Sequence, residues 1–281
     1  MIKINRELGP TKILLISLVL VIIIGAILLK LPICNNNPIK TIDAIFVATS
    51  ATCVTGLTTI IPSEQFTFIG QIVLLALIQI GGIGFMTLIS IVLIMIGKKL
   101  NLSDKIIIKE SLNQDSFKGL ARLIKKICIY TFIIEMIGAG ILSIRFIPEF
   151  GIGKGIWFSI FHSISAFCNA GFDLLGNTSI TKYSGDWIVC LTLMSLIIIG
   201  GLGFAVWDDI VENIKNRKKF HQLTAHTKLV LLITLILLIS GTALTLFLEF
   251  SNEQTIKNDV LRNKNFKVSC SINNTKNSMI L

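Results

Sequence analysis

Charge is scarce in this sequence, and its scarcity excludes an ordinary soluble domain. Only 15% of the 281 residues are Asp, Glu, Lys or Arg, whereas 53% are hydrophobic. Several apolar stretches approach 20 residues, the length that a helix needs to cross the hydrocarbon layer of a bilayer. The composition therefore predicts an all-α integral membrane protein.

Signatures of enzymes and metal sites are also missing. The sequence has no nucleotide-binding loop, no HExxH and no GxSxG, and its six cysteines show neither CxxC spacing nor clustering with the three histidines. We therefore predict that the chain is not an enzyme and has no resident cofactor. The only candidate for acid–base chemistry is Glu135, because a carboxylate in the middle of a span is costly and suggests function. The alternative is that Glu135 is hydrogen-bonded between helices or protonated.

The charge that is present lies mainly on one side of the predicted membrane. Eight basic residues fall within residues 98–126 and five within 215–228, whereas the loops at 30–66 and 145–186 carry five between them. This asymmetry follows the positive-inside rule and predicts a cytoplasmic N-terminus. The net charge of +10 thus indicates topology rather than a nucleic-acid partner.

A short polar segment that ends in glycine occurs twice. Residues 46–56 read FVATSATCVTG, and residues 161–171, which lie 115 positions later, read FHSISAFCNAG. Each copy begins within a short apolar helix, predicted at 41–51 (with Thr41 as its N-cap) and at 155–167, and continues beyond its C-terminus. Because topology places both ends of the first segment outside, we predict that it dips into the membrane and returns. Such backbone is tolerated at membrane depth when it is buried or lines an aqueous cavity.

The predicted architecture is two complete span–pore-loop–span repeats and the first helix of a third. The first repeat covers 11–97, a cytoplasmic connection covers 98–122, the second repeat covers 123–211, a second connection covers 212–228, and the additional helix covers 229–250. Residues 251–281 are polar and aperiodic, and we expect them to be a disordered or frameshifted tail.

The two loops have the composition that a cation filter requires. Backbone carbonyls can replace the water around a monovalent cation such as K⁺, and a glycine allows conformations that bulky residues avoid. The candidate filter residues are Thr52, Cys53, Val54, Thr55, Gly56, Cys168, Asn169, Ala170 and Gly171. The alternative is that the loops are capped interfacial turns between helices.

A glycine cluster follows each loop within the next span. The clusters comprise Gly81, Gly82 and Gly84, and Gly200, Gly201 and Gly203. Small residues allow membrane helices to pack closely. A bend that widens the inner end of a pore is the other interpretation, and the sequence leaves both open.

These segments resemble the Ktr/Trk/HKT superfamily of potassium transporters, and most nearly its KtrB-like membrane subunits. The matching segments are SATCVTGL at 50–57, QIGGIGFMTL at 79–88 and AFCNAGFDLL at 166–175, and the similarity covers roughly residues 10–256. The resemblance implies four repeats around one pore, each with a filter glycine (here Gly56 and Gly171), and K⁺ uptake across the plasma membrane, which in this family is often helped by Na⁺. The sequence leaves both potassium-only and sodium-coupled transport open. It also implies a homodimer and a cytoplasmic nucleotide-binding partner of KtrA type, for which the basic segments 98–126 and 212–228 are candidate contacts.

The sequence departs from this family in having two repeats and a single further span. The third and fourth filter glycines and the gating loop of the third repeat do not occur in it. We therefore expect a C-terminally truncated chain that is not a competent transporter by itself. The alternative function is a non-transporting membrane scaffold that binds a regulatory partner through its basic loops.

Overall fold

The computed structural model describes residues 10–84, 120–216 and 222–249. These residues form helices joined by loops and turns, and they contain no β-strand beyond one isolated bridge between Asn35 and Phe66. The predicted all-α class is confirmed. The predicted tail at 251–281 and nearly all of the connection at 98–122 lie outside the described residues.

The chain divides into two compact units, with the boundary between Ile133 and Ile134. The first unit contains α1 (Pro10–Lys30), a 3₁₀ turn (Pro32–Cys34), α2 (Thr41–Thr52), α3 (Pro62–Gln65) and α4 (Phe68–Ile83). Helix α5 (Leu120–Phe150) crosses the boundary. The second unit continues with α6 (Ile152–Phe167), a 3₁₀ segment (Gly176–Tyr183), α7 (Trp187–Gly201), α8 (Phe204–Lys215) and α9 (Ala225–Glu249).

In the first unit, the short helix α2 packs against α1 and α4, which also pack against each other. Gly25 marks the close approach of α1 to α4, because a Cβ there would lie 2.7 Å from Leu77. The start of α4 is fixed by Thr67, whose hydroxyl accepts a hydrogen bond from the Gly70 amide at 3.3 Å. The predicted Thr41 cap of α2 is wrong. The N-cap residue is Lys40, and the Thr41 hydroxyl instead accepts a bond from Lys30.

The second unit uses the same close approach between its helices. A Cβ on Gly138 of α5 would lie 2.7 Å from Leu196 of α7. Leu196 follows Leu77 by 119 positions, the spacing that also separates the two glycine clusters. Helix α6 packs against α7, and α7 is capped by Asp186, which accepts from the Ile188 amide at 3.0 Å.

Several helices have the apolar character of membrane spans. Among the described residues, Lys126–Phe150 and Ala225–Thr245 are long and apolar enough to cross a bilayer, and α7 with α8 would add a third, bent span. Leu15–Lys30, Thr41–Thr52 and Phe68–Ile83 are shorter apolar helices. Large apolar side chains on α1, α5 and α9 are exposed, Phe247 by 83%, as expected for surfaces that face lipid.

The second predicted repeat (123–211) ends in an interrupted helix rather than a continuous span. Helix α7 ends at Gly201, and α8 leaves it at an angle of 99°. Gly203 has φ +83° at this break, a conformation that suits glycine and ends a right-handed helix. The indole N–H of Trp207 donates to the carbonyl of Ile199 at 2.9 Å. In a continuous helix, that carbonyl would accept from the amide of Gly203.

Candidate functional site

The first loop is a Schellman motif at the C-terminus of α2. Val54 has φ +57°, and its amide donates to the carbonyl of Ala51 at 3.3 Å. The Thr55 amide reaches back to the carbonyl of Ser50 at 2.9 Å. These two bonds and the left-handed residue between them define the motif. Gly56 then has φ +71°, so two of three consecutive residues have positive φ.

The second loop repeats this geometry at the C-terminus of α6. Asn169 has φ +57° and donates to Ala166 at 3.0 Å, while the Ala170 amide donates to Ser165 at 2.8 Å. Gly171 has φ +70°. Every element of the motif lies 115 positions after its counterpart in the first loop, so the sequence repeat has a matching backbone repeat.

The first glycine of each cluster lies against the end of the short helix in its own unit. A Cβ on Gly81 would lie 2.3 Å from the carbonyl oxygen of Thr52, and a Cβ on Gly200 would lie 1.8 Å from that of Phe167. The Cα of Gly200 is consequently no more than about 3.3 Å from that oxygen, the range of a Cα–H···O contact. A side chain at either position would collide with backbone.

The third glycine of each cluster lies at a helix terminus and has positive φ. Gly84, the C-cap of α4, has φ +85°, and Gly203 between α7 and α8 has φ +83°. The middle glycines lie within or at the end of their helices: Gly82 belongs to α4, and Gly201 is the last residue of α7. A Cβ on Gly201 would meet only the Asn169 amide group, at 3.8 Å.

The predicted filter residues differ in their surroundings. Thr52 is the last residue of α2, is buried, and donates from its hydroxyl to Ala48 at 2.8 Å. Cys53 and Thr55 are exposed, and Val54 and Gly56 are half-buried. In the second loop, Cys168 and Ala170 are buried, and Asn169 and Gly171 are half-buried.

Glu135 lies on α5 in the second unit and is 3% exposed. Its backbone carbonyl accepts a hydrogen bond from the Ser163 hydroxyl of α6 at 2.6 Å. Glu135 therefore adjoins the C-terminal end of the second short helix.

His162 is a buried polar residue that sequence reasoning did not assign to the loop. Its Nδ1 lies 2.6 Å from the carbonyl of Phe158, and its Nε2 accepts from the Leu174 amide at 3.4 Å. The imidazole also makes edge contacts with Phe146 at 5.5 Å and Phe161 at 5.9 Å between ring centroids. It thus joins α6 to the segment after Gly171. A histidine within an apolar helix was the only available signal.

These features define a helical membrane protein in which a short apolar helix ends in a left-handed, glycine-containing loop held against the following span. The family model described as TrkH, cation transport protein, matches residues 10–265. The chain belongs to this TrkH family.

Three relatives are similar to this chain over most of its length. The Ktr system potassium uptake protein B of Bacillus subtilis is 43% identical over 88% of this chain and 54% of its own. The protein of the same name from Vibrio alginolyticus is 42% identical over 88% and 54%. The potassium/sodium uptake protein NtpJ of Enterococcus hirae is 40% identical over 91% and 56%. The chain spans about half the length of these relatives.

Proposed function

We propose that this chain contributes two of the pore loops of a potassium-uptake transporter, in which backbone carbonyls of the loops select the ion. The observation that carries the proposal is the matching backbone geometry of the two loops, including φ +71° at Gly56 and +70° at Gly171. The family match and the names of the three relatives favour transport over the scaffold alternative.

The loop geometry suits carbonyl coordination for a stereochemical reason. Successive carbonyls in a β-strand point to opposite sides, because the residues alternate. In the first loop, Val54 and Gly56 have positive φ and Thr55 does not. This alternation turns neighbouring peptide planes so that their carbonyls can face one side. The C-terminal partial negative charge of α2 adds to the attraction for a cation.

Thr52 is the least suited of the predicted ligands. Its carbonyl faces the α4 backbone at Gly81, and we assign it to packing. We assign ion coordination to the carbonyls of residues 53–56 in the first loop and 168–171 in the second. Gly81 and Gly200 then contact the C-terminal ends of the two short helices, whereas Gly203 redirects the chain between α7 and α8.

The family resemblance extends the proposal to the assembly. We assign the protein to the plasma membrane as a multi-pass subunit with a cytoplasmic N-terminus, in keeping with its basic connections. A homodimer and a cytoplasmic nucleotide-binding partner of KtrA type would complete the transporter, and the name "Ktr system" of two relatives supports a protein with several components. The name "potassium/sodium uptake protein" supports sodium as a second ion.

The proposal can be tested by serine substitution of the loop glycines. A serine would have to adopt the left-handed φ of Gly56 or Gly171, which costs an L-residue about 1–2 kcal/mol. We expect either Gly56→Ser or Gly171→Ser to lower the preference for K⁺ over Na⁺. Gly153→Ser is the control, because Gly153 lies on α6 with open space around its Cα and no positive φ.

Uptake is measured in a potassium-uptake-deficient bacterium. The 281-residue chain is compared with a joined protein, in which residues 1–250 are followed by the part of the Bacillus subtilis relative beyond the matched region. Potassium uptake by the joined protein, with an altered cation preference in the loop variants alone, would support the proposal. Correct membrane insertion without uptake by either protein would contradict it, as would an unchanged preference in both loop variants.

A further inference from the structure

Ser165 contacts the chain on both sides of Gly171. Its backbone carbonyl accepts from the Ala170 amide at 2.8 Å, as the Schellman motif requires. Its side-chain hydroxyl donates to the carbonyl of Phe172 at 2.7 Å. Ser165 is itself only 3% exposed, so water cannot readily replace either hydrogen bond.

The segment that follows Phe172 is fixed by further hydrogen bonds. His162, one turn before Ser165 on α6, accepts from the Leu174 amide at 3.4 Å. Asp173 accepts from the Leu175 amide at 3.0 Å and from the Ser179 hydroxyl at 2.6 Å. The segment that follows Gly171 is thus hydrogen-bonded both to α6 and within itself.

Ser50, the counterpart of Ser165, holds the first loop differently. Its backbone carbonyl accepts from the Thr55 amide at 2.9 Å, and its hydroxyl accepts from the Thr55 hydroxyl at 2.9 Å. Both bonds act on the residue before Gly56. The counterpart of Thr55 in the second loop is Ala170, which has no hydroxyl. In the second loop, the serine hydroxyl instead bonds to the residue after the glycine.

We propose that Ser165 is a positioning residue for cation selection, which holds the Phe172 carbonyl against α6 and so fixes the peptide groups on either side of Gly171. Ser50 has the corresponding role at Gly56 through Thr55. The inference rests on the proposed function of the two loops. It adds that selectivity depends on two buried hydroxyls that would not themselves touch the ion.

The physical reason is that carbonyl selectivity depends on where the oxygens are held. Cavity size, or the number and field strength of the carbonyl dipoles, decides which ion is preferred. A carbonyl that accepts from Ser165 cannot turn toward an ion. Without that hydroxyl, the Phe172 carbonyl loses its buried donor, and the peptide groups beside Gly171 can adopt another orientation.

The first experiment measures loop opening in the 281-residue chain itself. Cys168, at the end of α6, is 6% exposed, and its reaction with a small maleimide is followed by peptide mass spectrometry. The Ser165→Ala substitution should accelerate labelling about tenfold, as expected from the loss of one buried hydrogen bond. Ser159→Ala is the matched control, because Ser159 is equally buried on α6 but donates within the helix to Gly155 at 2.7 Å.

The second experiment measures cation preference in the joined protein. We expect Ser165→Ala to lower the preference for K⁺ over Na⁺ severalfold at an unchanged amount of protein in the membrane, and Ser159→Ala to leave the preference unchanged. Ser165→Thr, which retains a hydroxyl, should restore part of the preference. A merely structural role would change protein amount or total uptake equally for both ions.

A double-mutant cycle tests the first loop. Ser50→Ala and Thr55→Val remove the same hydroxyl contact from opposite ends, so their effects on cation preference should not add. Additive effects would overturn the role of Ser50. Equal labelling and equal preference in Ser165→Ala and Ser159→Ala would overturn that of Ser165. If the unaltered joined protein shows no uptake, the proposed function fails, and labelling still reports whether Ser165 holds the loop.

Discussion

Replacing Gly200 with alanine should disrupt the second loop, because α7 would collide with the end of α6. The new Cβ would lie 1.8 Å from the carbonyl oxygen and 2.9 Å from the carbonyl carbon of Phe167. Ordinary contact requires about 3.5 Å, so α7 and the end of α6 must separate by roughly 1.5–2 Å. Both neighbours are backbone atoms, and no side-chain rotation can relieve the collision.

The size of the effect follows from two opposing contributions. Overpacking of this kind costs about 1–3 kcal/mol, and we expect the upper end because backbone must move. Alanine in place of glycine recovers up to about 1 kcal/mol of helix propensity. The net loss of about 2 kcal/mol should lower the melting temperature by about 4–8 °C. The assay is heating of the purified chain in detergent, followed by size-exclusion chromatography of the remaining monodisperse protein.

Gly140→Ala is the matched control for this measurement. Gly140 lies within α5, and a Cβ there would meet nothing within 4 Å, so the substitution should be neutral or slightly stabilising. If Gly200→Ala and Gly140→Ala melt at the same temperature, the close contact between α7 and the Phe167 carbonyl does not exist in the protein. The same comparison made with Gly81→Ala tests the Thr52 contact in the first unit.

Two further predictions concern the second unit. Trp207→Phe removes the indole donor to the Ile199 carbonyl. Because a carbonyl at the helix break then loses its partner, we expect the free energy of unfolding to fall by about 1–3 kcal/mol. Melting in detergent measures this change, and a melting temperature equal to that of the Phe204→Leu variant, at the start of the same helix, would contradict it. Burial, followed by the hydrogen bond and the charge of Glu149, raises the pKa of Tyr183 above its usual value near 10. A raised pKa favours the protonated form in the folded state, so this stabilisation is complete below pH 10 and is lost as pH rises through the folded-state value. Tyr183→Phe should therefore flatten the alkaline fall in melting temperature, and an identical pH profile would refute the assignment.

The sequence was informative about the loops because their geometry depends on residues that are visible in it. A glycine that closes a short polar run twice, at the same offset, predicted two equivalent loops, and both glycines have positive φ. Helix α2 ends one residue beyond its predicted end. Helix α6 begins at Ile152, three residues before its predicted start at 155.

Other features could not be inferred, because one residue type serves different purposes. Glycine permits both close packing and a bend, and the sequence offers no way to separate Gly200, which packs against backbone, from Gly203, which breaks the helix. Hydrogen bonds between Ser165 and Phe172 or between His162 and Leu174 depend on the path of the segment that follows Gly171. That path is fixed only after the loop has folded.

Comparison of the two loops indicates that backbone geometry, rather than side-chain chemistry, is what the repeat reproduces. The left-handed position is occupied by Asn169 in one loop, a residue that tolerates this region, and by Val54 in the other, a β-branched residue that does not. Such a conformation persists only where the surroundings enforce it. In the first unit, a Cβ on Gly81 would lie 2.8 Å from the Val54 side chain as well as against the Thr52 carbonyl. Because Gly81 has no side chain, it leaves room for both the end of α2 and the strained Val54. Any larger residue at position 81 should disturb both.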